Sequence, residues 1–226
     1  MTKQELRAAA KSLAAALSPS EKALASDAIC DKILALDAYR AAGSVFAFSR
    51  LAGEPDLTRV ITRAASSGKK VFLPVFIPGS RSILFRDVTA AAASGAYVKA
   101  AALFENKSYP AAAECGFERC SFSIMEPSDS FPEAVFAADE AVFAKDAANN
   151  PIEASVVTAP ALILCPGLAF DKNGARLGRG AGCYDRFLSS HRSHFSAVAG
   201  VCFESQIFNE IPVDPHDERC DFTVFA

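Results

Sequence analysis

The residues best suited to chemistry fall in one stretch, Cys165-Pro-Gly-Leu-Ala-Phe-Asp-Lys-Asn-Gly-Ala-Arg-Leu-Gly-Arg-Gly-Ala-Gly-Cys-Tyr-Asp185. Gly178, Gly180 and Gly182 alternate along it, with Arg176 and Arg179 set among them. Tyr184-Asp185 then opens a segment that reads as helical through Leu188. Glycines at this density let backbone N–H groups approach an anion closely and take positive φ where needed. The arginines supply fixed, bidentate positive charge, and Asp185 supplies a hard oxygen ligand. That is chemistry for holding a phosphate and a metal ion. A plain tight turn would account for the glycines but not for charges that add no packing. The spacing is neither that of a P-loop, which ends in Gly-Lys-Ser/Thr, nor that of a dinucleotide-binding fingerprint.

Fewer signals surround the other candidates. Lys3 and Arg7 are four apart and share one helical face, which spacing alone reads as a solvated pair. Glu54 stands between Gly53 and Pro55 at the mouth of a strand, where an acid favoured by a helix dipole is the plain reading. Asp217 sits in Pro215-His-Asp-Glu, itself an ordinary polar turn. His191 and His194 offer too little for a metal site. Glu126 is left without a role.

These residues must be positioned by a regular scaffold. Leu6, Ala9, Ala10, Leu13 and Leu17 recur at helical spacing, predicting an amphipathic helix over 3–17. Ser18-Pro19-Ser20 interrupts it and caps a second helix to about Leu36. Val45-Phe-Ala-Phe48 reads as a buried strand, 57–66 as a helix ended by Gly68-Lys-Lys, and Val71-Phe-Leu73 as the next strand. Further strands are expected over 82–86, 161–164, 197–203 and 221–225, with a helix near 184–190. The strand–helix–strand rhythm predicts an α/β fold with a mostly parallel sheet flanked by helices. Residues 90–159 are Ala-rich and broken by Pro110, Pro127, Pro132 and Pro151, and read as irregular, with one or two short elements. A single domain over 1–226 is expected.

Composition narrows the class of function. The chain has 226 residues, 51% hydrophobic and 22% charged, which is globular rather than disordered. A net charge of −3 gives no global field for nucleic acid or anionic membrane, so an anion site must be local. Seven cysteines, an odd number without a Cys-x-x-Cys pair, suit reduced thiols in a cytoplasmic protein. The charged N-terminus and the lack of a long apolar run predict neither a targeting peptide nor a membrane span.

The glycine–arginine loop read through to Tyr184-Asp185 resembles the signature of the 5-formyltetrahydrofolate cyclo-ligase (methenyltetrahydrofolate synthetase) family. Weaker marks follow in the family's order: Lys3 and Arg7, Glu54-Pro-Asp56, Gly68-Lys-Lys-Val-Phe-Leu-Pro74, Glu126-Pro127, Gly200-Val-Cys-Phe203, Gln206, Pro212 and His216-Asp217. The resemblance implies a NagB/RpiA/CoA-transferase-like α/β fold. It implies too that ATP and 5-formyltetrahydrofolate give 5,10-methenyltetrahydrofolate, ADP and phosphate, with Mg²⁺ as cofactor. By the same resemblance Lys3, Arg7, Arg176, Gly178, Arg179, Gly180, Ala181, Gly182, Tyr184 and Asp185 hold ATP. Arg179 is the catalytic charge on the transferring phosphoryl group. Glu54, Arg179, Cys183 and Tyr184 meet the folate, and Asp185 and Asp217 ligate the metal. The expected partners are these small molecules alone, with the protein a monomer.

Three features depart from the family pattern. Cys183 stands where the family carries the first of two tyrosines, removing a ring and a hydroxyl beside the expected folate. Ala159-Pro-Ala161 lacks an aspartate expected beside the strand, and the segment from Pro127 to Pro160 is long. Two alternatives therefore stand beside the enzyme: a nucleotide- or folate-binding paralogue without turnover, and a sugar-phosphate isomerase or CoA-transferase sharing only the fold.

Overall fold

A computed structural model describes residues 1–120, 124–136 and 154–226. Two capped helices open the chain. In α1 (Lys3–Ala16) and α2 (Pro19–Ala35), Thr2 and Ser18 are N-caps whose hydroxyls accept from the N–H groups of Glu5 and Glu21, while those glutamates reach back to the cap N–H groups. This reciprocal arrangement satisfies the orphan donors of both first turns. A short α3 (Asp37–Ala41) leads to β1 (Ser44–Phe46), α4 (Thr58–Ser66), β2 (Lys70–Phe76) and β3 (Ile83–Asp87).

The region expected to be irregular is more ordered than its composition suggests. It contains α5 (Thr89–Ala93), α6 (Ala96–Glu105), α7 (Tyr109–Ala113), β4 (Phe117–Arg119), β5 (Met125–Pro127), β6 (Glu133–Val135) and β7 (Ala154–Val156). Alanine carries helix propensity without a periodic apolar stripe, so pattern reading passes over helices this short. Part of that expectation lies outside the described residues. The chain continues through β8 (Ala161–Pro166), β9 (Ala169–Asp171), β10 (Arg176–Leu177), α8 (Cys183–His191), β11 (Phe195–Cys202), β12 (Ile207–Phe208) and β13 (Phe222–Phe225).

One sheet runs β13-β11-β8-β1-β2-β3-β6-β7. The first five strands are mutually parallel, β3 is antiparallel to both β2 and β6, and β7 is parallel to β6. Alternate side chains feed two cores, as the two-residue period of a strand requires. Val45, Val71, Leu162 and Ala199 face the layer of α2, α4 and α6. Phe46, Phe72, Ile163 and Val198 face α8, where Phe46 stacks on Phe72 at 4.6 Å between ring centroids. A third cluster joins Leu6 and Ala10 of α1 to Leu168, Ala169, Ala175, Leu177 and Ile211. It seats the first helix on the small sheet β10-β9-β12.

Strand β1 pairs with β2 on one side and β8 on the other, in register from Ser44. The chain therefore leaves the centre of the sheet in both directions, and the loops after β1 and β8 diverge. A crevice at the carboxyl ends of such strands is where open α/β sheets bind ligands.

Candidate active site

Two cavities meet at that crevice. The first is walled by Phe48, Pro74, Phe76 and Ile124, with Ser49, Glu54, Arg179, Cys183 and Tyr184 as its polar or polarisable members. The second is lined by Lys3, Arg7, Arg81 and Arg186 and by Asp214, His216 and Asp217. Arg176, Gly178, Ala181, Gly182 and Asp185 border both. An apolar slot and a strongly charged one thus share the glycine–arginine loop as a partition.

The loop takes this path because its glycines allow it. Gly180 has φ +105° and Gly182 φ +67°, values that L side chains rarely adopt. Gly182 is also the N-cap of α8, so the first N–H groups of that helix begin where the two cavities share a border. Those orphan donors and the helix dipole favour an anion there.

Glu54 lies in the loop between β1 and α4, with its side chain 6% exposed. Its Oε2 accepts from the Leu51 N–H at 2.9 Å and its Oε1 from Arg179 Nη2 at 3.2 Å. Burial pushes its carboxyl above the ordinary value, against the pull of the Leu51 N–H and Arg179. Arg179 is half-exposed and lines the apolar cavity. The Tyr184 ring lies in the core beside Phe85, and its buried hydroxyl finds no partner among the described residues. Burial raises that phenol well above its usual value. Cys183, the first residue of α8, lines the same cavity, and burial lifts its thiol despite the nearby Arg186.

In the charged cavity, Arg7 Nε donates to the Gly178 carbonyl at 2.9 Å, clamping α1 to the loop. Lys3 Nζ donates to Asp214 Oδ2 at 2.7 Å and to Asp217 Oδ2. Partial burial works against ionising Asp217, but the Asp214 N–H and the Lys3 ammonium hold its carboxyl below the usual range. The carboxylates of Asp214 and Asp217 and the His216 ring place ligand atoms within 4.8 Å of one another. Asp185 stands against Arg176 instead, its Oδ1 accepting from Nη2 at 2.6 Å and from the Glu218 N–H at 3.3 Å. Asp185 Oδ2 and Asp217 Oδ1 are left without hydrogen-bond donors among the described residues, and both residues border one cavity. Two free carboxylate oxygens beside a cationic cradle are a donor set that suits Mg²⁺ with a polyphosphate.

Every residue given a site role from the sequence lines one of the two cavities, but Arg179 and Tyr184, expected at the nucleotide as well, line only the apolar one. The sequence reading missed Asp214, Arg81 and the apolar wall. Asp214 carried a signal, since it lies three residues before Asp217 in the same polar turn. Phe48 and Ser49 could have been found as the end of the first strand at a switch point. Glu126 now has a contact: it is buried and accepts from the Phe76 N–H at 3.2 Å, behind the apolar wall.

Similarity to known proteins identifies the family. A Caenorhabditis elegans protein named "Probable 5-formyltetrahydrofolate cyclo-ligase" is 26% identical over 230 residues, spanning 99% of this chain and 92% of that one. The 5-formyltetrahydrofolate cyclo-ligase of Mus musculus is 43% identical over 67 residues, 28% of this chain and 33% of that one. Among solved structures, the 5,10-methenyltetrahydrofolate synthetase of Aquifex aeolicus superposes with a TM-score of 0.65 at 24% identity, covering 100% of this chain and 90% of that one. The synthetase of Mycoplasma pneumoniae gives 0.60 at 16% identity, covering 99% and 98%. Residues 1–225 match the 5-formyltetrahydrofolate cyclo-ligase family as a whole, and the chain belongs to that family.

Proposed function

We propose that the protein closes 5-formyltetrahydrofolate to 5,10-methenyltetrahydrofolate at the expense of ATP. The observation that carries this reading is the pair of adjoining cavities, one apolar around a buried carboxylate and one cationic, divided only by the loop 176–185. A pterin suits the first, where Glu54 can accept from its amino and ring N–H groups and Tyr184 can bear on its face. Triphosphate suits the second, held by Lys3, Arg7 and the first N–H groups of α8.

An amide oxygen is a poor leaving group, so the formyl oxygen takes the γ-phosphoryl group from ATP. The second folate nitrogen then attacks the activated carbon, the ring closes and phosphate departs. Such transfer needs alignment and charge neutralisation more than covalent help. Arg179 supports both: it extends from the partition to Glu54 at the folate side, and its guanidinium can follow charge as it develops on the phosphoryl oxygens. Asp185 and Asp217 would hold Mg²⁺, which neutralises phosphate charge when bound. The walls of Phe48, Phe76 and Ile124 keep water from the activated carbon.

The test is spectrophotometric. Purified protein is mixed with 5-formyltetrahydrofolate, ATP and Mg²⁺, and the near-ultraviolet band of the methenyl product is followed. Growth of the band that requires both ATP and Mg²⁺ is expected. No growth, with nucleotide binding still measurable by calorimetry, would sink the catalytic reading in favour of a binding paralogue.

A further inference from the structure

Arg176 is unlike the other cations of the loop. Its side chain is 3% exposed, against 42% for Arg179 and 21% for Lys3. Nη2 is committed to Asp185 at 2.6 Å, Nη1 reaches the Pro166 carbonyl at 3.4 Å, and the guanidinium carbon lies 5.6 Å from the centroid of the Tyr184 ring. Nε is buried and finds no partner among the described residues. Two glycines make room for it: a Cβ on Gly167 would stand 3.2 Å from Arg176 Cγ, and one on Gly178 3.2 Å from Nη1. Buried to this degree, the guanidinium presents little surface to a phosphate, and turning its paired Nη2 to one would leave Asp185 with the Glu218 N–H alone, which is unfavourable for a carboxylate only 14% exposed. Yet it borders both cavities.

We propose that Arg176 is a positioning residue joining the two substrate sites, holding the Asp185 carboxylate for the nucleotide side and the Tyr184 ring for the folate side, and is not itself a phosphate ligand. This rests on the assignment of the two cavities made above. Its consequence is that Arg176 matters to folate binding even when no nucleotide is present, which a residue acting on phosphate alone would not.

The test is calorimetric, with each substrate titrated alone: 5-formyltetrahydrofolate without nucleotide, and a non-hydrolysable ATP analogue with Mg²⁺ but without folate. Arg176→Lys keeps the charge but not the planar fork. It is expected to weaken both ligands about tenfold or more, whereas Arg7→Ala weakens only the nucleotide. In a Tyr184→Leu background, Arg176→Lys should add little further loss of folate affinity, because the two changes act through one contact. Melting curves confirm that each variant is folded at the titration temperature, and Arg176→Met serves as a second variant without the charge. Loss of nucleotide affinity alone would make Arg176 a phosphate ligand and overturn the proposal. Unchanged affinities with a lower Tm, or fully additive losses in the double variant, would reduce it to scaffold and overturn it equally. If the unsubstituted protein takes up nucleotide but no folate, the folate assignment fails and the proposal falls with it.

Discussion

Glu54→Gln separates what this carboxylate does for binding from what it does to the fold. The substitution keeps the side chain's shape and one acceptor but removes the charge. Ionised Glu54 is an acceptor at both oxygens, satisfied here by the Leu51 N–H at 2.9 Å and by Arg179 at 3.2 Å. With folate bound, the oxygen facing the cavity would instead take N–H groups of the pterin. Hydrogen bonds to a charged group are worth about 1.5–3 kcal/mol and neutral ones about 0.5–1.5. Gln also presents an NH₂ where a donor already points. A loss of about 2–3 kcal/mol follows, or about 30- to 150-fold in folate affinity. The KM for ATP should stay within about threefold, since the nucleotide cavity does not border Glu54. Stability should move the other way. Burial raises the folded carboxyl above its unfolded value, so the native state holds that proton more tightly. Stability attributable to Glu54 is therefore greatest below the unfolded value and is lost as pH rises through the folded one. Gln has nothing to lose, so the variant should melt higher than the parent at pH 7.5, with the gap closing towards pH 4. Steady-state kinetics in both substrates and melts across that pH range are the assays. An unchanged KM for folate would remove Glu54 from the substrate site. A lower Tm at pH 7.5 would show that the Arg179 pair outweighs the cost of burial.

Arg7→Ala deletes the clamp on the Gly178 carbonyl and a cation of the charged cavity, and should raise the KM for ATP about 10- to 100-fold with little change for folate. Initial rates against ATP concentration check this, and an unchanged KM would break the nucleotide assignment. Cys183→Tyr returns a ring to the apolar cavity and should tighten folate about 2- to 10-fold, the worth of an aromatic contact. Weaker binding by calorimetry would mean that this cavity is shaped around the smaller thiol. Gly174→Ala tests the turn that carries the loop: at φ +79° its Cβ would lie 2.0 Å from the Cys220 carbonyl oxygen. Left-handed strain and a forced backbone shift together should cost about 2 kcal/mol or more, lowering Tm by about 4–8 °C. A melt within 1 °C of the parent, roughly the precision of a scan, would refute the close approach.

Much of the site was legible because its signals are local. Apolar spacing from Leu6 to Leu17 announces the first helix, Ser18-Pro19-Ser20 the second, and the apolar run from Ala161 announces β8. The loop shows its own need for positive φ and charge. What could not be read is how distant residues meet. Glu54 and Arg179 are 125 positions apart and pair in the lining of a cavity that neither segment predicts. Arg176 and Arg179 look equivalent in the sequence, yet one is buried under Asp185 and the other half-exposed. Burial, not residue type, divides their work. The helices α5 to α7 escaped notice for a different reason: alanine specifies backbone conformation without marking a face.

The charged cavity takes part of its lining from each end of the chain. Arg7 bonds a residue 171 positions away, and Lys3 bonds residues 211 and 214 positions away. Leu6 and Ala10 of α1 find their apolar partners only from Leu168 onwards. As the protein emerges from the ribosome, its first helix must wait for nearly all the rest before it has anywhere to dock. On the proposed assignment, a nascent chain presents no phosphate clamp until the second half of the chain has folded. The same geometry makes the first sixteen residues a late-arriving bolt: a fusion placed ahead of them should impair catalysis while leaving the central sheet intact.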